Sequence, residues 1–201
     1  VEETNKILNA DVPSIGLALL QKTGLLPFIF PELTALEGIE EQEGQLHKDN
    51  FWHTLEVVDN MARTSDDLWL RWSALLHDIG KAPTKRFDQK NGWTFHGHEF
   101  VGSKMVLKLF KRLKMPLNDR LKFVRKMVAM SSRPIVISQD VTDSAVRRLI
   151  FDAGNDLESL MTLCEADITT KNPRRFKKYH ANFQRVREKI QEVEQRDHVR
   201  N

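Results

Sequence analysis

The stretch that decides the fold is Leu75-Leu76-His77-Asp78-Ile79-Gly80-Lys81. Its first residues continue an apolar helical pattern, and Gly80 and Pro83 then predict the end of that helix. Neutral imidazole and carboxylate are both good ligands for a divalent metal ion. Adjacent side chains diverge by about 100° inside a helix, but they can converge on one ion where the helix ends. The stretch therefore predicts a metal-binding pair, His77 and Asp78, at the end of a buried helix.

A second histidine is predicted to face the core on the preceding helix, which Asp49 or Asn50 caps. His53 lies in one row with Val57 and Met61, at positions i, i+4 and i+8, and should therefore point inward. On its own, a buried histidine is as often a satisfied core residue as a metal ligand. His53 becomes a stronger candidate for a metal ligand because helical spacing also places other polar side chains on buried faces.

A carboxylate is predicted on the apolar side of a third helix. Asp167 shares a face with Leu160, Leu163 and Cys164. An isolated carboxylate in an apolar setting has its pKa raised by up to about 3–5 units, so it needs a cation or hydrogen-bond donors. One shared divalent ion would satisfy both histidines and both carboxylates at once. The residues alone thus favour a metal centre over four separate buried polar groups.

Helical spacing and capping residues recur along the chain and predict an all-α fold. The expected helix starts are near Asp11, Asp49, Asp66, His98, Asn118, Thr142, Asn155 and Asn172. The last helix is long and amphipathic, with one apolar seam for packing on another helix: Phe176, Tyr179, Phe183, Val186, Ile190 and Val193. Residues 85–95 are the strand candidate, and they form either a short hairpin or a long loop. The apolar stretch 24–33 is expected to be buried against this chain or against another domain.

Composition is that of a globular protein. The 201 residues are 40% apolar and 29% charged. The apolar run 12–36 is interrupted by Lys22, Gly24, Pro27 and Pro31, so it does not predict a membrane span. The acidic N-terminus does not predict a signal peptide. The single cysteine, Cys164, allows no internal disulfide, which is typical of a reducing cytoplasm. We therefore expect a cytoplasmic protein.

The net charge of +3 hides an uneven distribution. The charged residues among the first 46 are mostly acidic, whereas basic residues concentrate at 81–86, 104–126 and 171–178. Such clustering suits a polyanion such as RNA. A solvated helix surface explains any single cluster equally well.

The order of His53, His77-Asp78 and Asp167 resembles the metal-ligand pattern of the HD superfamily of phosphohydrolases. A closer resemblance, along essentially the whole chain, is to the bacterial tRNA nucleotidyltransferase (CCA-adding) and poly(A) polymerase family. The segments that carry it are Gly24-Leu25-Leu26, Pro31-Glu32-Leu33, His47-Lys48-Asp49, His53-Thr54, Ala166-Asp167 and Lys171-Asn172.

The resemblance implies three parts: an N-terminal helical segment (1–46), an HD domain (47–171) and a long C-terminal helix (172–201). In that family, nucleotidyl transfer belongs to a head with a Gly-Ser turn and an Asp-x-Asp pair. No Asp-x-Asp occurs in this sequence. The chain also begins without Met and ends on a charged helical pattern, so we expect a fragment that cannot add nucleotides by itself.

The resemblance also implies metal-assisted phosphoester hydrolysis. The expected ligands of the ion are His53, His77, Asp78 and Asp167, a set that suits Mn²⁺, Ni²⁺, Fe²⁺, Zn²⁺ or Mg²⁺. The candidates for catalysis are Asp78, His47 and His98, of which the two histidines could instead bind a second metal. The candidates for contacts with phosphate or substrate are Lys81, Arg133 and Lys48.

One departure from the family keeps two functions open. Relatives often have a further histidine before an Arg-Pro step, where this chain has Ser131-Ser132-Arg133-Pro134. Serine is a poor replacement for an imidazole ligand. The domain is therefore either a hydrolase for cyclic phosphates, phosphate monoesters or nucleotide ends, or a catalytically silent domain that serves RNA binding and scaffolding. A stand-alone nucleotide sensor is disfavoured by the family-like acidic N-terminal segment.

Overall fold

The computed structural model describes residues 1–46 and 49–199. The chain forms two compact units, Val1–Ala129 and Met130 onward. The predicted all-α class is confirmed, because the described residues are helical apart from two short hairpins and the connecting loops. None of the described helices is both long and apolar enough to cross a membrane. The predicted division at 46/47 and 171/172 rests on the family resemblance, and it stays a prediction.

Helices α1 to α9 belong to the first unit, which ends within α9. They are α1 Glu2–Leu8, α2 Pro13–Lys22, α3 Leu26–Ile29, α4 Pro31–Thr34, α5 Asn50–Thr64, α6 Leu68–Leu76, α7 Lys81–Thr84, α8 His98–Arg112 and α9 Asp119–Met130. Helix α5 packs on both α6 and α2. The side chains of Asp49 and Asp67 cap α5 and α6, as predicted, by accepting hydrogen bonds from the first backbone N–H groups.

Both hairpins lie in the first unit. Strands β3 Arg86–Asp88 and β4 Gly92–Thr94 pair antiparallel with Phe87 opposite Trp93, which confirms the predicted hairpin. A second hairpin, which the sequence analysis did not predict, pairs β1 Glu41–Gln42 antiparallel with β2 Gln45–Leu46. Its turn forms because both central residues have positive φ (52° and 77°), the geometry that joins two strands through a two-residue loop.

Arg71 ties the N-terminal segment to α6, the helix that precedes the His-Asp pair. Its side chain is 4% exposed and donates to the carbonyl oxygens of Leu8 (2.7 Å), Ala10 (3.2 Å) and Ser65 (2.9 Å). The next residue, Trp72, donates from Nε1 to the side-chain oxygen of Asn5 (2.9 Å). These bonds hold the first ten residues against α6.

The apolar stretch 24–33 is buried on one side only. Leu26, Phe30 and Leu33 are fully buried, and the ring of Phe30 packs edge-on against Trp72 at 6.0 Å. Phe28, by contrast, is 84% exposed. The expectation of burial therefore holds for every third or fourth residue of the stretch, as its short helices dictate.

The second unit is all-helical in its described part. It contains α10 Arg133–Ile137, α11 Asp143–Ala153, a 3-10 turn Gly154–Asp156, α12 Leu157–Ala166 and α13 Pro173–Val199. Helices α10 and α11 pack on α13. The predicted seam of α13 is buried at Phe183, Val186, Ile190 and Val193. Its first two members are exposed, Phe176 by 44% and Tyr179 by 42%.

Candidate metal centre

Helix α5 carries His53 into the core of the first unit. The residue is 8% exposed, and its row-mates Val57 and Met61 are fully buried, as the helical spacing predicted. The Asp49 cap fixes where the helix begins, because its carboxylate accepts from Phe51 N (3.0 Å) and Trp52 N (3.2 Å). The start of α5 thus sets the position of the imidazole one turn later.

The His-Asp pair follows α6 directly. His77 and Asp78 are each 2% exposed, and the fully buried Ile79 anchors the same turn. Nδ1 of His77 lies 2.8 Å from the carbonyl oxygen of Ala74. Because a carbonyl oxygen can only accept, Nδ1 carries the proton, and Nε2 of the neutral ring carries the lone pair that a metal needs.

Gly80 brings α8 against this turn. Its backbone is right-handed (φ −73°, ψ −12°), so it is not needed for an unusual backbone angle. A Cβ at this position would lie 2.0 Å from the carbonyl oxygen of His98 and 2.7 Å from the amide nitrogen of Gly102. The sequence-based interpretation of Gly80 as a helix breaker was therefore incomplete. The glycine allows the start of α8 to approach the pair.

His98 reaches the pair through this close approach. Its Nδ1 donates to the carbonyl oxygen of Phe95 (2.9 Å), so that in the neutral ring Nε2 carries the lone pair. Nε2 of His98 stands 3.7 Å from Oδ1 of Asp78. The other carboxylate oxygen, Oδ2, lies 3.2 Å from Nε2 of His77 and 3.8 Å from Nε2 of His53.

Three imidazoles therefore converge on one buried carboxylate, and this arrangement fits a divalent ion. Ligand atoms about 2.0–2.2 Å from one ion stand roughly 3–4 Å from each other, which is the range observed around Asp78. The lone pair of a neutral His77 would face Oδ2 of Asp78 at 3.2 Å, a repulsive contact unless a proton or metal ion lies between them. Lys81 already supplies one positive charge, because its Nζ lies 2.6 Å from the same Oδ2.

Comparison with protein families identifies the architecture. The family model for the HD domain matches residues 50–172. The chain belongs to the HD-domain family. A second model, described as "Probable RNA and SrmB- binding site of polymerase A", matches residues 1–37. The resemblance inferred from the order of His53, His77-Asp78 and Asp167 is thereby confirmed at the level of the family.

Several named proteins resemble this chain over most of its length and are longer than it. An A-adding tRNA nucleotidyltransferase from Deinococcus radiodurans is 32% identical over 83% of this chain and 38% of its own length. Multifunctional CCA proteins from Psychromonas ingrahamii and Alkalilimnicola ehrlichii are 31% and 32% identical, over 87% and 83% of this chain and 38% and 40% of theirs. The chain spans about two fifths of the length of these relatives.

Of the remaining predicted site residues, Asp167 and Arg133 belong to the second unit. Asp167 follows α12 in the second unit and is half-buried, and its role as a ligand of the HD centre stays a prediction. Arg133 is exposed at the start of α10 and pairs with Asp152 within that unit. His47 and Lys48 lie outside the described residues.

Ser131, the first of the two serines before the Arg133-Pro134 step, is buried in the second unit. Ser131 is 6% exposed, and its carbonyl oxygen accepts a hydrogen bond from Sγ of Cys164 (2.8 Å). Burial raises the pKa of the Cys164 thiol well above its usual value, and the negative charge of Asp167 raises it further. Both effects favour the neutral thiol, the form that donates this hydrogen bond to Ser131.

Two features of the centre were not predicted from the sequence. His98 was one histidine among several candidates, and its place beside Asp78 depends on the contact between Gly80 and α8. The bond from Lys81 to Asp78 was also not foreseen, although a lysine three residues after a carboxylate is a recognisable signal.

Proposed function

We propose that this HD domain binds a divalent metal ion and hydrolyses phosphoesters. The proposal is carried by the convergence of three imidazole Nε2 atoms on the buried carboxylate of Asp78. His53, His77 and Asp78 would hold the ion, and the ligand order of the family adds Asp167. Mixed nitrogen and oxygen ligands of this kind suit Mn²⁺, Ni²⁺, Fe²⁺, Zn²⁺ or Mg²⁺.

The chain's own residues supply the remaining chemistry. A divalent ion, when bound, provides Lewis acidity that lowers the pKa of a water and offsets phosphoryl charge. Nε2 of His98 carries a lone pair, oriented by the bond from Nδ1 to Phe95, and can take a proton from the attacking water. Lys81, whose side chain is 20% exposed, can turn from Asp78 to a phosphate oxygen of the substrate.

Hydrolysis assays test the catalytic part. The substrates are bis-(p-nitrophenyl) phosphate and a 2′,3′-cyclic nucleotide, each with Mn²⁺ or Ni²⁺. We expect turnover by the unaltered chain and its loss in the nearly isosteric variant Asp78→Asn, whereas His96→Ala, at an exposed histidine, should retain it. A chain that binds the metal and hydrolyses neither substrate would overturn the hydrolase proposal.

A second candidate function is a catalytically silent domain that binds RNA. Ser131-Ser132 at the place of a family histidine favours it, as does the match of residues 1–37 to a model described as an RNA-binding site. The test is the affinity for tRNA at increasing salt, which should fall steeply because released counterions drive the binding. Affinity that does not respond to salt, or no binding, would count against it.

We further propose that the chain acts within a cytoplasmic tRNA nucleotidyltransferase-type protein. The support is the similarity to longer proteins named A-adding tRNA nucleotidyltransferase and Multifunctional CCA protein. In such a parent, a separate head would perform nucleotidyl transfer on tRNA 3′ ends. The chain itself should then add no nucleotides to tRNA, and incorporation of labelled ATP or CTP by the purified 201-residue chain would contradict this.

A further inference from the structure

The first turns of α13 carry a dense group of positive charges. Five basic residues occur between positions 171 and 178, namely Lys171, Arg174, Arg175, Lys177 and Lys178. All five are exposed, and the first turn of α13 contains no acidic residue. Within the described part of the chain, none of the five forms an ion pair. This segment, 171–180, is here called the basic-aromatic segment.

The rest of α13 shows that this pattern is local. Farther along the helix, Arg187 pairs with Glu158 at 2.7 Å and with Glu165 at 3.1 Å. Lys189 pairs with Asp143 at 2.9 Å, and Arg196 pairs with the same carboxylate at 2.8 Å. Cations that pack on this unit thus have protein partners, while those of the basic-aromatic segment face solvent without one. Their charge is available to an external anion.

Exposed aromatic rings lie among these cations. Phe176 and Tyr179 are 44% and 42% exposed and occupy the same face of the helix. The ring of His180 lies 4.2 Å from that of Phe176 and extends this face by another planar group. Helical spacing places Arg175 and Lys177 on either side of the rings. Cations thus flank a short platform of flat side chains.

This combination fits single-stranded nucleic acid better than other polyanions. Bases stack on exposed aromatic rings while flanking cations contact the phosphates, and the stacking tolerates any sequence. A helix that lies on a membrane needs a broad face of bulky apolar residues. Residues 171–185 contain no Leu, Ile, Val, Met or Trp, and Phe183 is buried. An acidic protein surface would use the charges but leave the rings without a role.

We propose that the basic-aromatic segment binds an unpaired stretch of RNA, with bases stacked on Phe176 and Tyr179 and phosphates on the flanking cations. The choice of RNA rests on the RNA partnership proposed above, and the inference adds the surface and the strandedness. It does not depend on metal binding or hydrolysis at Asp78.

The test measures binding of a fluorescently labelled, unstructured 12-nucleotide RNA and of a fully paired RNA duplex to the complete chain. The double variant Phe176→Ala/Tyr179→Ala should bind the single strand at least about tenfold more weakly, because each stacked base contributes about 1–3 kcal/mol, and should bind the duplex nearly as before. Its matched control is Phe151→Ala, which removes an aromatic ring that is 86% exposed in the same unit. The control should leave both affinities unchanged.

A second pair of variants tests the charges. The double variant Lys177→Ala/Lys178→Ala should bind RNA with a weaker salt dependence. The slope of log affinity against log salt concentration should become shallower by about 1.4, because each phosphate contact with a single strand contributes about 0.7 to this slope. Lys108→Ala/Lys111→Ala removes the same charge from exposed positions of α8 and should flatten it less.

Three results would overturn the inference. The aromatic variant could bind the single strand as well as the unaltered chain does. It could lose duplex and single-strand affinity equally, which would remove the role of stacking. Finally, vesicles of phosphatidylcholine and phosphatidylserine could bind in a way that depends on Phe176 and Tyr179 while the RNA does not, which would assign the segment to a membrane surface. Retained tRNA binding with any of these results would leave the RNA partnership intact and reject only this surface.

Discussion

Asp78 is the buried carboxylate around which the candidate centre is arranged. Its side chain is 3% exposed, and its two oxygens face three imidazole nitrogens and one ammonium group. The two His-to-carbonyl hydrogen bonds orient His77 and His98 so that their lone pairs lie on the side of this carboxylate. Positive charge beside Asp78 is therefore required, and either Lys81 or a metal ion can provide it.

Competition between Lys81 and the metal ion leads to the first prediction. The Lys81→Met variant should bind Mn²⁺ about tenfold more tightly, because a charge-assisted hydrogen bond of about 1.5 kcal/mol no longer has to be broken. Isothermal titration calorimetry measures the affinity. Lys104→Met is the matched control, since Lys104 lies over the ring of Phe100 and not at the centre. An unchanged or weaker affinity in Lys81→Met would refute the competition.

Gly80 gives the second prediction at this scale. Gly80→Ala should lower the free energy of unfolding by about 2–3 kcal/mol, because the new Cβ would meet backbone atoms of α8 that cannot move independently. Gly16→Ala is the control, since its Cβ would meet only the flexible side chain of Ile7, at 2.8 Å. Urea unfolding followed by circular dichroism compares the two. Equal stability of both variants would show that α8 can retreat from Gly80 at no cost.

At the scale of elements, α6 links the N-terminal segment to the candidate centre. Arg71 and Trp72 hold residues 1–10, and the His-Asp pair begins five residues after Trp72, directly beyond the end of the same helix. Loss of the bonds between residues 1–10 and α6 should therefore also affect the position of the His-Asp pair at the end of this helix. The Asp67 cap and the buried residues of α6 limit how far the helix itself can shift.

The third prediction concerns the Arg71 side chain. Arg71→Met should lower the free energy of unfolding by about 3 kcal/mol, because several buried carbonyl oxygens lose their donor. The exposed Arg63, whose guanidinium donates to Asn60 within α5, supplies the control variant Arg63→Met. That control should stay within about 0.5 kcal/mol of the unaltered chain. Chemical denaturation measures both, and an equal loss in the two variants would contradict this role of Arg71.

Sequence patterns were sufficient for most elements, because helix starts and strands follow local rules. The caps at Asp49, Asp67 and Thr142 and the Phe87–Trp93 hairpin appear where they were predicted. The short helices α3, α4 and α10 were not predicted, since each contains a proline and too few residues to show a period.

Local patterns could not indicate which faces would be covered. The seam of α13 has one period throughout, yet its first two aromatics are exposed because coverage depends on packing partners distant in sequence. The same limit applies to His98. Its distance to Asp78 follows from a contact between residues about twenty positions apart, at Gly80 and Gly102.

At the scale of the whole molecule, the charge pattern separates two kinds of surface. The cations of α13 that lie beyond Phe183 are largely taken up by ion pairs within the second unit, whereas those of the basic-aromatic segment are not. Net charge alone could not show this difference, because it counts both kinds equally. The HD centre and the basic-aromatic segment can each be tested by their own variants, at Asp78 for the centre and at Phe176 and Tyr179 for the segment.

The measurement that tests the central claim most directly is the metal content of the purified chain after dialysis against trace Mn²⁺, Ni²⁺ and Zn²⁺. Mass spectrometry of the metals should find about one divalent ion per chain in the unaltered protein and almost none in His77→Ala or Asp78→Ala, while circular dichroism shows that both variants keep their helical content. No stoichiometric ion in the unaltered chain would contradict the account. So would variants that unfold, because the His-Asp pair would then be a structural feature of the core.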